Sequence, residues 1–169
     1  MRPLVVSAIL LLMALMPMAE ADRDTISRFC NSKYPDVKCR VKGWYRLDNK
    51  RCMKIYVEFL TFSDAEKRCK ADGGQLVSIH NLENYDRVLC KMFRYAICRP
   101  VFWIGARRGQ HSFYWVDGSG CMGFSRWAKW QPDNWLFREH CVEMNYRSWG
   151  RWNDENCNSK RPFMCAKNM

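Results

Sequence analysis

The sequence is short of the residues that hydrolytic and metal chemistry need. Only three histidines occur, His80, His111 and His140. None stands in a triad or metal-ligand spacing, which argues against nucleophilic catalysis. No C-x-x-C pair is matched by histidines, so a zinc site is not expected. No N-x-[ST] sequon is present, and hence no N-glycan is expected. From Cys39 onward there is no repeat, linker or low-complexity stretch, and no run apolar enough to cross a bilayer. A long amphipathic basic helix, the usual means of membrane attack, is also missing.

The one long apolar run opens the chain. "MRPLVVSAILLLMALMPMAEA" (1–21) carries an early cation at Arg2, an apolar stretch from Leu4 to about Met18 and a small-x-small close at Ala19-Glu20-Ala21. That is the pattern of a cleaved secretory signal, and at about fifteen residues the run falls short of the roughly 20 a spanning helix needs. A mature, secreted protein beginning near Asp22 is the expectation.

Ten cysteines follow, at 30, 39, 52, 69, 90, 98, 121, 141, 157 and 165. An even count behind a signal implies a disulfide framework, whose pairing the spacing alone does not give. The formal charge of +11 is spread in pairs such as Lys50-Arg51, Arg107-Arg108 and Lys160-Arg161. A solvated face accounts for it. The sharper alternative is attraction to anionic surfaces such as bacterial envelopes or sulfated glycans; nucleic acid is not an expected partner. Eight tryptophans, seven tyrosines and nine phenylalanines are enough to place rings at a binding surface.

Residues 22–38 read as a polar extension carrying Cys30, and residues 39–169 as one domain. "TFSDAEKRCKADGG" predicts a helix with a Ser63/Glu66 capping box and a Gly73-Gly74 stop. "QLVSI" (75–79) predicts a strand. "NLENYDRVLCKMF" predicts a second helix, capped by Asn81, with Leu82, Tyr85, Leu89 and Met92 along one side. "VFWIGA", "FYWVDGSG", "HCVEM", "RWND" and "PFMCA" read as short strands and turns. Two helices followed by short strands and long loops give an α+β class.

These residues resemble a C-type lectin-like domain from about Cys39 to Cys165, of the galactose type found in secreted lectins of fish and snake venoms. The resemblance rests on "GWY" between Cys39 and Cys52, on "WIGA" (103–106) where W-I-G-L is usual, and on "QPD", "EHC", "WND" and "PFMC" in that order. It implies two helices packed on short antiparallel sheets, a long calcium and sugar loop, and three disulfides: Cys69 with Cys165, Cys141 with Cys157, Cys39 with Cys52. It also makes Trp103, Trp115 and Trp152 core residues and leaves Trp149 open. Cys30, Cys90, Cys98 and Cys121 remain. They could form two more internal bonds; one internal bond among the last three with an interchain bond by another is preferred, and Cys30 in its extension could bridge to a second chain.

The resemblance further implies a Ca²⁺ site made by Gln131, Asp133, Glu139, Asn153 and Asp154, oxygen donors of the kind this ion prefers, with Pro132 in the cis form. Sugar hydroxyls would complete the shell, taking hydrogen bonds from amide NH₂ groups and giving them to carboxylates. Gln131, Asp133, Trp135, Glu139 and Asn153 are the implied sugar contacts, and the Gln-Pro-Asp order goes with galactose, on whose apolar face Trp135 would stack. His140 stands where relatives often carry an acid for an auxiliary calcium, so no second site is expected. The stretch "NWLFR" lacks the glycines many such relatives have. The function expected is a non-enzymatic, calcium-dependent lectin for galactose-containing glycans, agglutinating microbes or cells as a disulfide-linked homodimer without membrane insertion. The alternatives are sugar binding without calcium, or the same fold binding proteins or ice.

Overall fold

The computed structural model describes residues 23–95 and 99–169; the signal-peptide reading and Cys98 lie outside them. The chain divides between Pro35 and Asp36 into two compact units. In the first, residues 23–33 form helix α1, and Phe29 meets Tyr34 edge-on at 5.6 Å.

The second unit holds strands β1 (Tyr45–Arg46) and β2 (Arg51–Leu60), helix α2 (Phe62–Ala71), strand β3 (Gln75–Leu76) and helix α3 (Leu82–Tyr95). Strands β4 (Phe102–Arg108), β5 (Phe113–Trp115), β6 (Gly120–Cys121), β7 (Cys141–Met144), β8 (Trp152–Glu155) and β9 (Arg161–Asn168) follow, with a 3-10 turn at Trp135–Phe137. The main path of the sheet runs β1-β2-β9-β4-β5-β6; β3 adds to β9, and β7 joins β4 to β8. Among the described strands only β4 and β9 pair in parallel, at Trp103 and Phe163, and an isolated parallel bridge joins Trp127 to Trp152. The class is α+β.

Helix α2 starts two residues earlier than its sequence suggests. Thr61 is the N-cap, in extended conformation, and its side chain accepts from the Asp64 N–H. Ser63, read as the cap, already lies inside the helix, while Glu66 pairs with Lys70 one turn on. Gly73, at φ +76, takes the left-handed conformation that ends the helix. Asn81 caps α3 by accepting from the Asn84 N–H at 2.9 Å. The buried side of α3 runs through Tyr85, Val88, Leu89 and Met92; Leu82, expected on it, is exposed. Only Gln75 and Leu76 of the 75–79 stretch join the ladder.

Two apolar clusters fill the interior. One gathers Val88, Met92, Ile104, Trp115, Val142, Trp152 and Met164; the other gathers Trp44, Phe62, Leu76, Trp103 and Phe163. Trp103, Trp115 and Trp152 are all buried, and Trp149 packs against Phe93 at 5.2 Å. Disulfides join Cys39 to Cys52, Cys69 to Cys165 and Cys141 to Cys157. Cys30 and Cys90 are each disulfide-bonded as well. Cys30 is therefore not a spare thiol for a second chain, as its place in a polar extension suggests; among the described residues the free, exposed thiol is Cys121.

Candidate functional site

Strand β8 anchors the loop that carries the Gln-Pro-Asp triplet. The Trp152 N–H donates to the Arg126 carbonyl (2.9 Å), and the Ala128 N–H donates to that of Trp152 (2.8 Å). A turn closed by the Gln131 N–H on the Ala128 carbonyl (3.1 Å) then leads into the cis Gln131–Pro132 bond. The Gln131 and Asp133 side chains face each other across it. Gln131 Nε2 donates to Asp133 Oδ2 at 3.1 Å, and Gln131 Oε1 accepts from the Asp133 N–H at 3.2 Å.

Asp154, buried on β8, organises the loop backbone. Its Oδ1 accepts from the Asp133 N–H (3.1 Å) and its Oδ2 from the Asn134 N–H (2.9 Å). Glu139 closes the other side: its Oε2 accepts from the Trp135 N–H (3.1 Å), and its own N–H donates to Asn134 Oδ1 (3.1 Å). Carboxylate oxygens of Asp133, Glu139 and Asp154 thereby lie within 4.8 Å of one another. Burial pushes the Glu139 carboxyl up to about 7; the Trp135 N–H opposes the rise, while Asp133, Asp154 and Glu155 add to it. A cluster of acids crowded in this way gains from a hard cation among them.

The donors fit Ca²⁺ in kind: carboxylate oxygens from Asp133, Glu139 and Asp154, with the Gln131 amide oxygen beside them. Asn153 precedes Asp154 on β8, and its Nδ2 donates to Glu143 Oε1 (3.0 Å), the residue opposite it on β7. Glu143 in turn pairs with Arg161 at 2.8 Å.

Sequence patterning gave no role to Arg108, at the end of β4. Its Nη2 pairs with Asp154 Oδ2 (2.5 Å), its Nε donates to the Glu139 carbonyl (3.2 Å), and its guanidinium stacks over Phe113 (4.6 Å). The protein thus places a cation of its own against the acidic cluster. The sequence signal was the charged pair following "WIGA", which reads as surface charge until β4 is paired with β7. His140 contributes only backbone there: its carbonyl accepts from the Arg108 N–H at 2.8 Å.

The loop lacks glycine, yet Trp130, Asn134, Leu136 and Phe137 all have positive φ, from 46 to 70°. Such conformations cost on the order of 1–3 kcal/mol each in non-glycine residues and concentrate at functional sites. They hold large apolar side chains in solvent: Trp130 is 78% exposed, Trp135 66%, Leu136 57% and Phe137 86%. Trp135 is therefore a surface ring beside the acidic cluster, not a packing residue.

A second polar cleft, of about 750 Å³, is lined by residues including Asp48, Arg51, His80, Asn84 and Asp117. In it His80 Nε2 lies 3.1 Å from Ser78 Oγ, which resembles a nucleophile with its base. Ser78 is buried, holds the Arg51 guanidinium at 2.7 Å and bonds Asp117 directly. A carboxylate on the hydroxyl, rather than behind the imidazole, does not make a hydrolytic triad.

Known proteins share this sequence pattern and this fold. Residues 58–167 match the family described as Lectin C-type domain. C-type isolectin Sp-CL4 of Scorpaena plumieri is 35% identical over 123 residues, covering 73% of this chain and 85% of that protein. Galactose-specific lectin nattectin of Thalassophryne nattereri is 32% identical over 130 residues, covering 76% and 80%. Among solved structures, herring type II antifreeze protein aligns with a TM-score of 0.67 at 32% identity, over 78% of this chain and 99% of that one.

Proposed function

Because this chain belongs to the C-type lectin domain family, we propose that it is a secreted lectin that binds galactose-ended glycans with calcium. The observation that carries this is the meeting of Asp133, Glu139 and Asp154 beside a cis Gln131–Pro132 bond, with Trp135 exposed next to them. Gln131, Asp133, Glu139, Asn153 and Asp154 would hold the ion, which would supply a Lewis-acid anchor for two sugar hydroxyls. Gln131 Nε2 is the available donor to a hydroxyl, and Asp133 and Glu139 are the acceptors. Trp135 offers its face to the C–H side of galactose. Among the described residues no helix is long and apolar enough to cross a membrane.

A second reading is favoured by Arg108. With a guanidinium already on Asp154, the loop has a partial substitute for the ion, and sugar binding could persist without calcium. Retention on immobilised galactose, first with calcium and then with a chelator, separates the two. Release by galactose but not mannose, with loss in chelator, supports the calcium clamp. Retention that survives chelation supports the Arg108 reading. No retention under either condition overturns both and favours ice or protein binding on the same fold.

A single shallow sugar site binds weakly, and pairing two copies multiplies the effect. The exposed thiol of Cys121 is the group that would join them in defence against microbes or in agglutination. Non-reducing electrophoresis of the wild type and Cys121→Ser checks this: a dimer band should vanish in the variant.

A further inference from the structure

Beside the acidic loop lies a cleft of opposite character. It has a volume of about 440 Å³ and is lined by Trp127, Ala128, Lys129, Arg147, Ser148 and Arg151, with no acid among them. Among the described residues, no carboxylate pairs with Lys129, Arg147 or Arg151. Lys129 leans over the Trp130 ring at 5.1 Å and Arg147 over Tyr146 at 5.0 Å.

The walls are held firmly. The turn between β7 and β8 is braced by the Gly150 N–H on Asn145 Oδ1 (2.9 Å) and the Tyr146 N–H on the Arg151 carbonyl (2.9 Å). Arg147 takes φ 57 within it, a left-handed conformation unusual for arginine. Like charges kept together on a rigid turn repel one another, and an anion between them removes that cost. Guanidinium groups pair with sulfate or carboxylate in a fixed, two-pronged geometry.

Cleft and sugar loop also share one turn. Ala128, on the cleft wall, accepts from the Gln131 N–H, and Lys129 lies two residues before Gln131. Two residues of extended chain span at most about 7 Å, which is within the reach of a single sugar ring.

We propose that this cleft receives an acidic substituent, sulfate or carboxylate, carried by the glycan whose galactose end the neighbouring loop holds. The choice of galactose rests on the function proposed above; the oxyanion site stands on the cleft alone.

The test compares lactose, 3′-sulfolactose and 3′-sialyllactose binding to the wild type and to the Arg147→Gln/Arg151→Gln variant, whose changed residues are exposed. The acidic sugars should bind at least about tenfold more tightly than lactose, as expected for one charge-assisted contact, with the advantage shrinking as salt rises. The variant should lose that advantage and keep lactose binding. A preference for the sulfated sugar alone would assign the cleft to sulfate, and a preference for the sialylated one alone to carboxylate. Equal affinity for all three sugars overturns the proposal, as does an advantage that persists in the variant.

Titration with inorganic sulfate, followed by the Trp127 indole N–H resonance, tests the cleft without galactose. If no sugar binds but sulfate shifts that resonance in the wild type only, the galactose reading fails and the oxyanion site remains. If sulfate shifts nothing, the cleft is no such site. Binding of phosphatidylglycerol vesicles, lost in the variant and unaccompanied by any preference among the sugars, would give the cleft to lipid headgroups and overturn the glycan assignment.

Discussion

Asp154 and Arg108 show how one residue pair can set the behaviour of a whole loop. Asp154 is buried and accepts from two loop N–H groups and from Arg108. Removing the guanidinium by Arg108→Gln leaves a buried carboxylate without its cation. The loss should be on the order of 2–4 kcal/mol, below the range for a fully buried pair because Arg108 is partly exposed. Calcium should then restore more stability to the variant than it adds to the wild type. Thermal unfolding of both proteins, with calcium and with chelator, measures this, and equal calcium shifts would show that Arg108 does not stand in for the ion. Trp135→Ala makes the opposite kind of change. Being 66% exposed, Trp135 should leave stability within about 0.5 kcal/mol of wild type while galactose affinity falls about two- to tenfold. Calorimetry and thermal unfolding together check it. The acids of the loop are legible in the sequence because they belong to short ordered motifs. Arg108 is not, because its partners lie 31 and 46 residues away and meet it only once β4 has paired with β7.

Among the elements, the legible ones carry their own punctuation. Helices α2 and α3 each announce themselves through a capping residue, and α2 also through its glycine stop; the α2 cap is Thr61, two residues before Ser63. Strand β2, the longest, has no such mark. Its buried residues come in adjacent pairs, Cys52-Met53 and Ile55-Tyr56, which breaks the alternation that flags a strand. From Cys52 to Tyr56 both faces carry packed residues, and Val57, Glu58 and Phe59 beyond them are all exposed, so neither half alternates. Where β2, β9 and the end of α2 meet, Asp72 ties them together. It accepts from Tyr56 Oη, from Arg68 Nη1 (2.7 Å) and from Lys54 Nζ (3.1 Å). The Tyr56 hydroxyl foremost, then Arg68 and Lys54, hold its carboxyl well below the usual carboxylate range. A carboxyl depressed on folding contributes stability above its unfolded value, near 3.9, and loses it as pH falls further. Unfolding midpoints should therefore drop more steeply below about pH 4 in the wild type than in Asp72→Asn. Denaturant titrations across that range test the difference, and identical slopes would remove Asp72 from the account.

For the molecule as a whole, the proposed calcium site offers the simplest lever. A ligand that binds only the folded chain stabilises it by mass action, about 2.7 kcal/mol when free ion stands at a hundred times its Kd. The melting temperature should accordingly rise with calcium concentration and return to its starting value in chelator, with magnesium having a smaller effect because it demands a tighter octahedral shell. A melting temperature indifferent to calcium would leave Arg108 as the only cation the loop uses.

The two crosslinks near the ends of the second unit also decide how it carries mechanical load. A pull between Asp36 and Met169 runs along the chain to Cys39, crosses to Cys52, follows β2 and α2 to Cys69, crosses to Cys165 and leaves. Residues 70–164, which hold the acidic loop and the cationic cleft, hang outside that covalent short circuit. Tension between the ends of the unit is borne by its frame, and the surface that carries the acidic loop stays slack.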